Sequence, residues 1–592
     1  MSKHSFSMWD YLVLSSTLVI SAVVGLYFAI TGGKQSTTRE IFLGNRKMHP
    51  IPVACSIFAS FMSGVSLLGL AAESYTFGWE YWQICTTFIT VILASNYFYL
   101  PVFYHYKLTS TFEYLEKRFH KYIRIAGCVT FVMLTILYMG IVMYAPAIAL
   151  NEVTKFPTYA SIVVIGLVCT FYTSIGGMKA VIWTDAIQCA FMFAGIIAII
   201  WRGASEVGGM GIVFKRAIEG KRIYVFNYNP NPFIRHTFWS INVGGFFMWL
   251  SIFAVNQAQV QRCLSCTSLK MGKKAMLYAL PGLIAFMTVC SLCGIVIYAL
   301  YYKCDPLTMR YIKTSDQLLP YVVMDIMNYP GLPGLFISSL FSGSLSTMSS
   351  GLNSLAAVIL EDIIKVYFTK IPENKGALWS KIISIFFGLV IIGMAFLSAH
   401  LGTVLQASLT IFGVVGGPML GLFTLGMFFP WANTIGSLIG WIISFIVVLW
   451  LGVGALFYKV VEQKAPMSIE NCEIPLVLTH SQYFFKASNI RPNEKIPLLY
   501  KLSYLHLGLV AVFLVIGIGL LTSYFTGFQD PNKLDPHLIS PPLRKFYRFL
   551  ATRFNWKLNI DSKFYEDTNM ITDSPQKIED GDNLIKESSL SD

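Results

Sequence analysis

The sequence predicts an all-α polytopic membrane protein with about 13 transmembrane helices. Of its 592 residues, 55% are hydrophobic and 13% are charged, with a mean hydropathy of +0.60. A soluble domain carries about 25% charged residues. Apolar runs long enough to cross a bilayer as a helix, about 18 residues or more, recur along the chain. We predict crossings at residues 8–30, 51–73, 81–104, 124–150, 157–177, 181–202, 238–262, 275–302, 333–363, 378–398, 403–429, 433–456 and 502–526.

Basic residues concentrate in alternate loops, after the first, third, seventh and ninth crossings. They are Lys34, Arg39, Arg46, Lys47, Lys107, Lys117, Arg118, Lys121, Arg124, Arg262, Lys270, Lys273, Lys274, Lys365, Lys370, Lys375 and Lys381. The positive-inside rule then places the N-terminus outside and the C-terminus in the cytoplasm. Segment 203–237 is the exception, since it is basic yet predicted to be external. The net charge of +13 therefore indicates contact with a bilayer, and no nucleic-acid partner is predicted.

Crossings two to six and seven to eleven form two blocks of five, and each block opens with an interrupted crossing. The interruptions are Ala59–Ser66 in the first block and Asn242–Gly245 in the second, with Asn256 and Gln257 nearer the inner end. Because five is odd, the second block must be inverted relative to the first. A helix break frees backbone groups that an ion and a solute can satisfy; a simple kink at Gly64 or at Gly244 and Gly245 is the alternative.

This pattern divides the chain into five parts. Residues 1–50 form an extra N-terminal helix and inner loop, and residues 51–202 and 238–429 form the two five-helix repeats. Residues 430–526 form two C-terminal helices with an external loop, and residues 527–592 form a cytoplasmic tail. Within the tail, segment 541–558 interleaves basic and aromatic residues, which suits a helix on an anionic leaflet or a solvated linker. The last thirty residues are acidic and are predicted to be disordered.

A stripe of small and hydroxyl residues runs along the ninth crossing. Ser339, Gly343, Ser346, Thr347 and Ser350 fall on one side of a helix by their spacing. Such a stripe either packs against other membrane helices or offers oxygen atoms to a hard cation such as Na⁺.

The cysteine pattern and the absence of catalytic motifs argue against a zinc protein and against an enzyme. Of the 11 cysteines, only Cys304 and Cys472 fall in predicted external loops, where they either form a disulfide or remain free thiols. The two Cys-x-x-Cys pairs lack a second pair or a histidine nearby, so a zinc site is not expected. Without a catalytic triad, nucleophile elbow or phosphate loop, the sequence predicts neither an enzyme nor an organic cofactor.

Three strings together resemble the solute:sodium symporter family, in the branch of the monocarboxylate, multivitamin and iodide carriers. They are the string from Tyr172 to Asp185, the string from Asn256 to Arg262, and the serine-rich ninth crossing. The resemblance runs from about residue 8 to residue 530. It implies a LeuT-like 5+5 inverted repeat with extra N- and C-terminal helices, in which co-transported Na⁺ drives solute uptake by alternating access.

The resemblance also implies a sodium site. Its hydroxyl ligands are those of Ser346 and Thr347, and its carbonyl ligands are those of Gly343, Ala59 and Met62. For Asp185, it implies a place on the inner path along which the ion leaves. A carboxylate that stabilises a helix N-terminus is the competing interpretation of Asp185.

We expect the solute beside the breaks. The pocket residues would be Phe61, Ser63, Ser66, Tyr144, Trp249 and Phe253, with core packing as the alternative for the aromatic ones. Because no core crossing carries Lys or Arg at mid-span, an anion would rely on helix N-termini, hydroxyls and the bound Na⁺. The iodide branch carries glutamine in place of Ser66, so iodide is less favoured.

The sequence thus predicts a plasma-membrane symporter that imports a small organic anion with Na⁺, with a short monocarboxylate favoured. A vitamin or iodide carrier, a transport-inactive sensor of the same fold and an ion channel are the alternatives.

Overall fold

The computed structural model describes residues 6–31, 37–327, 329–368, 372–398, 403–458, 460, 464–470, 472 and 496–554. This part of the chain is helical, with one isolated β-bridge between Met48 and Cys266 as its only extended pairing. Its principal helices are α1 (Met8–Thr31), α2 (Pro50–Ala59), α3 (Gly64–Phe77), α4 (Trp79–His105), α5 (Lys121–Thr154), α6 (Thr158–Val207), α7 (Ser240–Val255), α8 (Gln257–Leu264), α9 (Leu269–Leu300), α10 (Leu332–Val358), α11 (Glu373–Ser398), α12 (Val404–Phe428), α13 (Thr434–Phe457), α14 (His506–Phe525) and α15 (Pro541–Phe554).

Within these described ranges, nine helices are long and apolar enough to cross a membrane, and two bent pairs raise the number to eleven. Two features separate this count from the predicted 13. Helix α6, with 50 residues, is counted once. Helix α10 falls outside the count because its serines lower its hydropathy. The number 13 therefore stays a prediction.

Helix α6 doubles back at Gly177. The Tyr172 hydroxyl donates to the Leu345 carbonyl at 3.0 Å, and Asp185 accepts from the Ser346 hydroxyl at 2.6 Å. A straight helix would separate residues 172 and 185 by about 20 Å, yet both contact the same turn of α10. Gly177 has φ 60° and ψ −168°, a conformation open essentially to glycine alone. The two crossings predicted here are therefore the two arms of α6.

The loops between the helices gather at two faces of the molecule. On the first face, contacts join Arg46 to Lys107, Met48 to Ser265, Tyr104 to Cys266, Lys365 to Thr38, Arg118 to Phe429, and Tyr114 to Leu538. On the second face, contacts join Trp79 to Arg222, Arg222 to Pro466, Asp305 to Ser468, Ser503 to Arg235, and Asp10 to Gly331. The first face holds the basic loops that the charge pattern placed on one side.

Segment 203–237, the exception in the charge pattern, lies on the second face. Its arginines are engaged by the protein: Arg216 donates to the Ala299 carbonyl and Arg222 to the Pro466 carbonyl. Arg235 forms a two-point ion pair with Glu73, with N–O distances of 2.7 and 3.0 Å. Cys304 and Cys472 form a disulfide on the same face.

The serine-rich helix α10 lies at the centre of the bundle. Its residues from Pro333 to Val358 are almost all buried, and it packs against α1, α3, α5, α6 and α11. Small residues allow this close approach. A Cβ added to Gly343 would lie 2.9 Å from the Gly64 amide nitrogen, and a Cβ added to Gly195 would lie 2.6 Å from the Ser339 side chain.

Two of the crossings are broken, one in each predicted repeat. The chain bends by 59° between α2 and α3, at the predicted place, and by 48° between α7 and α8. The second break lies at Asn256, which has ψ 127°, so the part of the predicted interruption at Asn256 and Gln257 is confirmed, whereas the part at Asn242–Gly245 is wrong. The helix continues through Gly244 and Gly245. They are small because the Leu505 carbonyl lies only 2.8 Å from where a Cβ of Gly244 would be.

Candidate sodium and solute site

The first helix break lies against α10. The Ser60 and Ser350 hydroxyl oxygens are 3.1 Å apart, and Gly343 contacts the backbone of Ser63 and Gly64. The segment between α2 and α3 therefore runs along α10 from Ser350 to Gly343.

All five predicted sodium ligands belong to this contact. Ser346 and Thr347 lie between its two ends, Ala59 is the last residue of α2, and Met62 lies within the broken segment; all four are buried. The Thr347 hydroxyl donates to the Gly343 carbonyl at 2.9 Å. Hydroxyls beside a helix break, where backbone carbonyls are freed, are oxygen groups of the kind that suit Na⁺, and the five-residue sodium site stays a prediction.

Asp185 is fully buried beside the same contact. Its carboxylate accepts from the Ser346 hydroxyl at 2.6 Å and from the Ser56 hydroxyl at 2.5 Å. Arg262 reaches within 3.7 Å of the carboxylate, and its Nε donates to Ser56 Oγ at 2.7 Å. Residues from α2, α6, α8 and α10 thus meet at one carboxylate.

The position of Asp185 in α6 excludes one of the two interpretations of this residue. It lies more than two turns beyond the reversal at Gly177. A helix N-terminus influences charges only within the first turn. The interpretation of Asp185 as a carboxylate that stabilises a helix N-terminus is therefore wrong.

A small enclosed cavity lies next to the first break. Its volume is about 30 Å³, which leaves room for one or two water molecules. Its lining comprises Phe61, Met62, Val65, Ser66, Leu70, Tyr81, Tyr138, Trp249, Ile252, Met287, Leu405, Ser408, Leu409 and Phe412. We call it the central cavity.

Three of the six predicted solute residues, Phe61, Ser66 and Trp249, line the central cavity. Ser63 is buried at the start of α3, adjacent to the lining. Phe253 is fully buried behind Trp249, with ring centroids 6.0 Å apart, so its core-packing interpretation applies. Tyr144 is outside the lining because it lies about 9 Å further along α5 than Tyr138.

The sequence interpretation chose Tyr144 of α5 where Tyr138 lines the cavity, and it missed the contribution of α12. The rings of Phe61, Tyr138 and Phe412 form a cluster with centroid distances of 6.1, 5.7 and 4.8 Å. Ser408 adds a hydroxyl. The available signal was the run of polar residues Gln406, Ser408 and Thr410 in an otherwise apolar crossing.

A larger cavity of about 1170 Å³ opens on the second face. We call it the vestibule. Helix α12 and the residue before it contribute to both spaces: Leu405, Ser408, Leu409 and Phe412 line the central cavity, whereas Thr403, Gln406, Ala407 and Thr410 line the vestibule. Each set follows the spacing of one helix face. The start of α12 therefore separates the vestibule from the central cavity.

Comparison with known proteins identifies the family to which this chain belongs. The family model of the sodium:solute symporter family matches residues 41–444. A solved structure of a Na⁺-coupled sialic acid symporter superposes with a TM-score of 0.74 at 24% identity, and the match covers 89% of this chain and 100% of that one. The chain belongs to the sodium:solute symporter family, and the predicted LeuT-like, all-helical fold is confirmed.

Relatives that match almost the full length of this chain show which branch of the family it resembles. The human sodium-coupled monocarboxylate transporter 1 is 42% identical over 98% of this chain and 95% of its own length. The mouse sodium-coupled monocarboxylate transporter 2 is 40% identical over 92% of this chain and 88% of its own length. The rabbit sodium-dependent multivitamin transporter is 40% identical over 98% of this chain and 92% of its own length. These relatives confirm the predicted branch and the prediction of sodium-coupled solute transport.

Proposed function

We propose that this protein imports a short monocarboxylate together with Na⁺ across the plasma membrane. The chemistry of the central cavity carries this proposal. Among the described residues that line it, none is Lys or Arg, and the polar groups are the hydroxyls of Ser66, Tyr81, Tyr138 and Ser408 and the indole of Trp249. The Ser66 and Ser408 hydroxyls donate to the Phe61 and Val404 carbonyls and would exchange these bonds for bonds to the solute. Hydroxyl and indole donors suit a carboxylate, while the surrounding apolar side chains suit a short alkyl group.

The vestibule supports the choice of an anion. Its lining includes Lys221, Lys464 and Lys501, whereas Glu80 is the one acidic residue among the described lining residues. An excess of positive charge at the mouth of a low-dielectric cleft raises the local concentration of anions. The human sodium-coupled monocarboxylate transporter 1 is 42% identical to this chain and the rabbit sodium-dependent multivitamin transporter 40%.

For the ion, we propose that Ser346, Thr347 and the carbonyls of Gly343, Ala59 and Met62 hold Na⁺. Asp185 would lie on its path toward the first face, because its carboxylate accepts the Ser346 hydroxyl and connects this site to Arg262. We propose that the first face is cytoplasmic and the N-terminus outside. A membrane potential of about 100 mV then contributes roughly 2.3 kcal/mol of driving free energy for each Na⁺ that enters. The Na⁺ concentration gradient adds to this driving free energy.

The alternatives share the fold. A vitamin carrier would have to expand a cavity of about 30 Å³ much further than a short monocarboxylate requires. An iodide carrier would use the same sodium site, and a transport-inactive sensor would bind solute without moving it.

Uptake into expressing cells tests the proposal. Radiolabelled pyruvate, lactate, biotin and iodide would each be offered with Na⁺ or choline outside. We expect saturable, Na⁺-dependent uptake of pyruvate or lactate, and its loss in the Ser346→Ala/Thr347→Ala variant. Ser384→Ala is the matched control, since Ser384 of α11 bonds a carbonyl one turn back as Thr347 does but lies away from the break.

Each contrary result has a separate meaning. Uptake that ignores Na⁺, or that survives the double substitution, would contradict the sodium site. Na⁺-dependent uptake of biotin or iodide alone would contradict the monocarboxylate assignment. Surface protein that binds solute without accumulating it would be a sensor.

A further inference from the structure

The C-terminal helix α15 is attached to the first face through Tyr547 and through the residue that precedes the helix. The Tyr547 hydroxyl donates to the Phe428 carbonyl at 2.5 Å, and the Tyr547 and Trp431 rings lie 5.3 Å apart. Just before the helix, the Ser540 amide donates to the Met427 carbonyl at 3.0 Å. These contacts fix both the position and the rotation of α15.

Helix α15 lies at the depth in the bundle at which several apolar helices end. Helix α15 packs against residues 95–99 in the last turns of α4, and it is anchored to the last residue of α12. It follows α14, which ends at Phe525. Because helices long enough to cross a bilayer end beside it, α15 lies at the edge of the apolar layer.

The side of α15 that faces away from the protein is both aromatic and basic. Lys545, Phe546, Phe549, Thr552 and Arg553 are exposed, and their spacing places them on one stripe of the helix. Phe546 and Phe549 are 52% and 64% exposed. Between residues 541 and 554 the helix carries Arg544, Lys545, Arg548 and Arg553 and no acidic residue.

Other exposed aromatic residues surround α15 at the same level. Tyr97 in α4 is 57% exposed, Tyr524 and Phe525 at the end of α14 are 64% and 76% exposed, and Phe528 is 52% exposed. Aromatic side chains are enriched where membrane proteins meet the headgroup region. The stripe on α15 therefore continues a band of aromatic residues at this depth.

We propose that the exposed stripe of α15 binds anionic phospholipids of the leaflet at the first face. Phe546 and Phe549 would enter the headgroup boundary, while Lys545 and Arg553 would pair with lipid phosphate or carboxylate groups. An amphipathic helix with apolar and basic residues on its outer side suits this environment, and basic residues near an anionic surface are attracted to it. The inference is independent of which solute the protein carries.

Two other occupants fit the stripe less well. A soluble phosphate would engage the basic side chains but leave two phenyl rings in water. An acidic protein would have to reach a helix that lies alongside the lipid boundary. Lipid accounts for the phenyl rings, the charge and the position together.

Hydrogen exchange of the full-length protein in lipid nanodiscs tests the proposal. The exchange of amides 541–554 would be compared in phosphatidylcholine alone and in its mixture with phosphatidylserine. We expect exchange several-fold slower in the mixture. The difference should vanish in the Lys545→Gln/Phe546→Ser/Phe549→Ser/Arg553→Gln variant. Tyr228→Ser/Lys313→Gln, which changes exposed residues of the second face, should retain it.

A second measurement keeps the test decisive if the variant alters exchange for another reason. Native mass spectrometry would count phosphatidylserine molecules retained on release from the nanodisc, and the wild type should retain more than the variant. Equal exchange in both lipid mixtures, or equal retention, would overturn the proposal. So would equal slowing by soluble glycerophosphoserine in phosphatidylcholine discs, because that result would indicate a headgroup site that needs no membrane.

Discussion

The Asp185 side chain links the helices that surround the first helix break. Its two hydroxyl donors come from α2 and α10, and its ionic partner Arg262 comes from α8. A buried carboxylate is tolerated only where hydrogen bonds and an opposite charge satisfy it. If the first face opens by a movement of α2 or α8, these hydrogen bonds and the ion pair must therefore either break or move together with the helices.

Replacing Asp185 by Asn should uncouple this cluster. Arg262 would be left as an unpaired buried charge, which costs about 3–5 kcal/mol, so we expect a lower melting temperature and impaired uptake. Thermal melting of the purified protein measures the effect. Adding Arg262→Gln should recover part of the lost stability; a double variant whose losses simply add would show that the two groups act independently.

Gly343 should tolerate no side chain. Its added Cβ would lie 2.9 Å from the Gly64 amide nitrogen and 3.0 Å from the Ser63 carbonyl carbon, and such overpacking costs about 1–3 kcal/mol. We expect Gly343→Ala to lose Na⁺-dependent uptake at normal surface expression. Gly393→Ala in α11 is the control, since its Cβ meets nothing within 4 Å. Normal uptake by Gly343→Ala would contradict the close contact of α10 with the break.

Among the helices, α12 combines two environments. One of its faces lines the central cavity and the other lines the vestibule, and both belong to its first turns. A π-helical segment from Phe412 to Gly416 follows. Because the two faces of α12 line different spaces, substitutions on each face should have separate, measurable effects.

Ser408→Ala should weaken solute binding, whereas Thr410→Ala should not. Ser408 faces the central cavity and Thr410 the vestibule. The Ser408 hydroxyl donates to the Val404 carbonyl and would exchange that bond for one to the carboxylate. A lost hydrogen bond is worth about 1 kcal/mol, so we expect the KM for the monocarboxylate to rise by up to about fivefold in Ser408→Ala. Concentration-dependent uptake measures it. A larger effect in Thr410→Ala would place the solute in the vestibule.

The start of α12 should also respond to pH. The Val404 amide donates to Asp316 at 3.1 Å, and burial raises the pKa of Asp316 to about 6. Because the unfolded carboxyl ionises near pH 4, this group makes stability fall as the pH rises from about 4 to 6. We expect Asp316→Asn to flatten the melting temperature over that range relative to the wild type. Parallel pH profiles of the two proteins would contradict this contribution.

The sequence predicted those elements whose signals are local. Hydrophobic runs gave the crossings, and the small residues from Ala59 to Ser66 gave the first break. Of the two places named for the second break, Asn256 is confirmed and Asn242–Gly245 is wrong, because glycine also marks close helix packing and Gly244 contacts the Leu505 backbone. The α5 and α12 residues of the cavity were missed because the rotation of a helix about its axis depends on its neighbours. Tyr138 and Tyr144 share α5, but only Tyr138 faces the cavity.

At the scale of the whole molecule, the loops gather at two faces. Basic side chains bind other parts of the protein on both faces: Arg216 and Arg222 do so on the second face, and Arg46 and Arg118 do so on the first. Segment 203–237 therefore remains an exception to the charge pattern. The relation between loops follows from the structure, whereas the side of the membrane on which each face lies is a proposal.

Epitope tags should establish that side. A tag inserted after Asn229, on the second face, should bind antibody on intact cells, and a tag at the C-terminus should do so only after permeabilisation. An N-terminal tag should behave like the one after Asn229. The reverse pattern would contradict the proposed orientation and would place the vestibule on the cytoplasmic side.

The two faces of α12 have a consequence for inhibition. A compound too large for the central cavity could bind in the vestibule against Gln406, Ala407 and Thr410 and hold the helix in place. Its potency would depend on residues that the transported molecule never touches. Carriers with the same cargo could therefore differ in their pharmacology, and carriers with different cargoes could share an inhibitor.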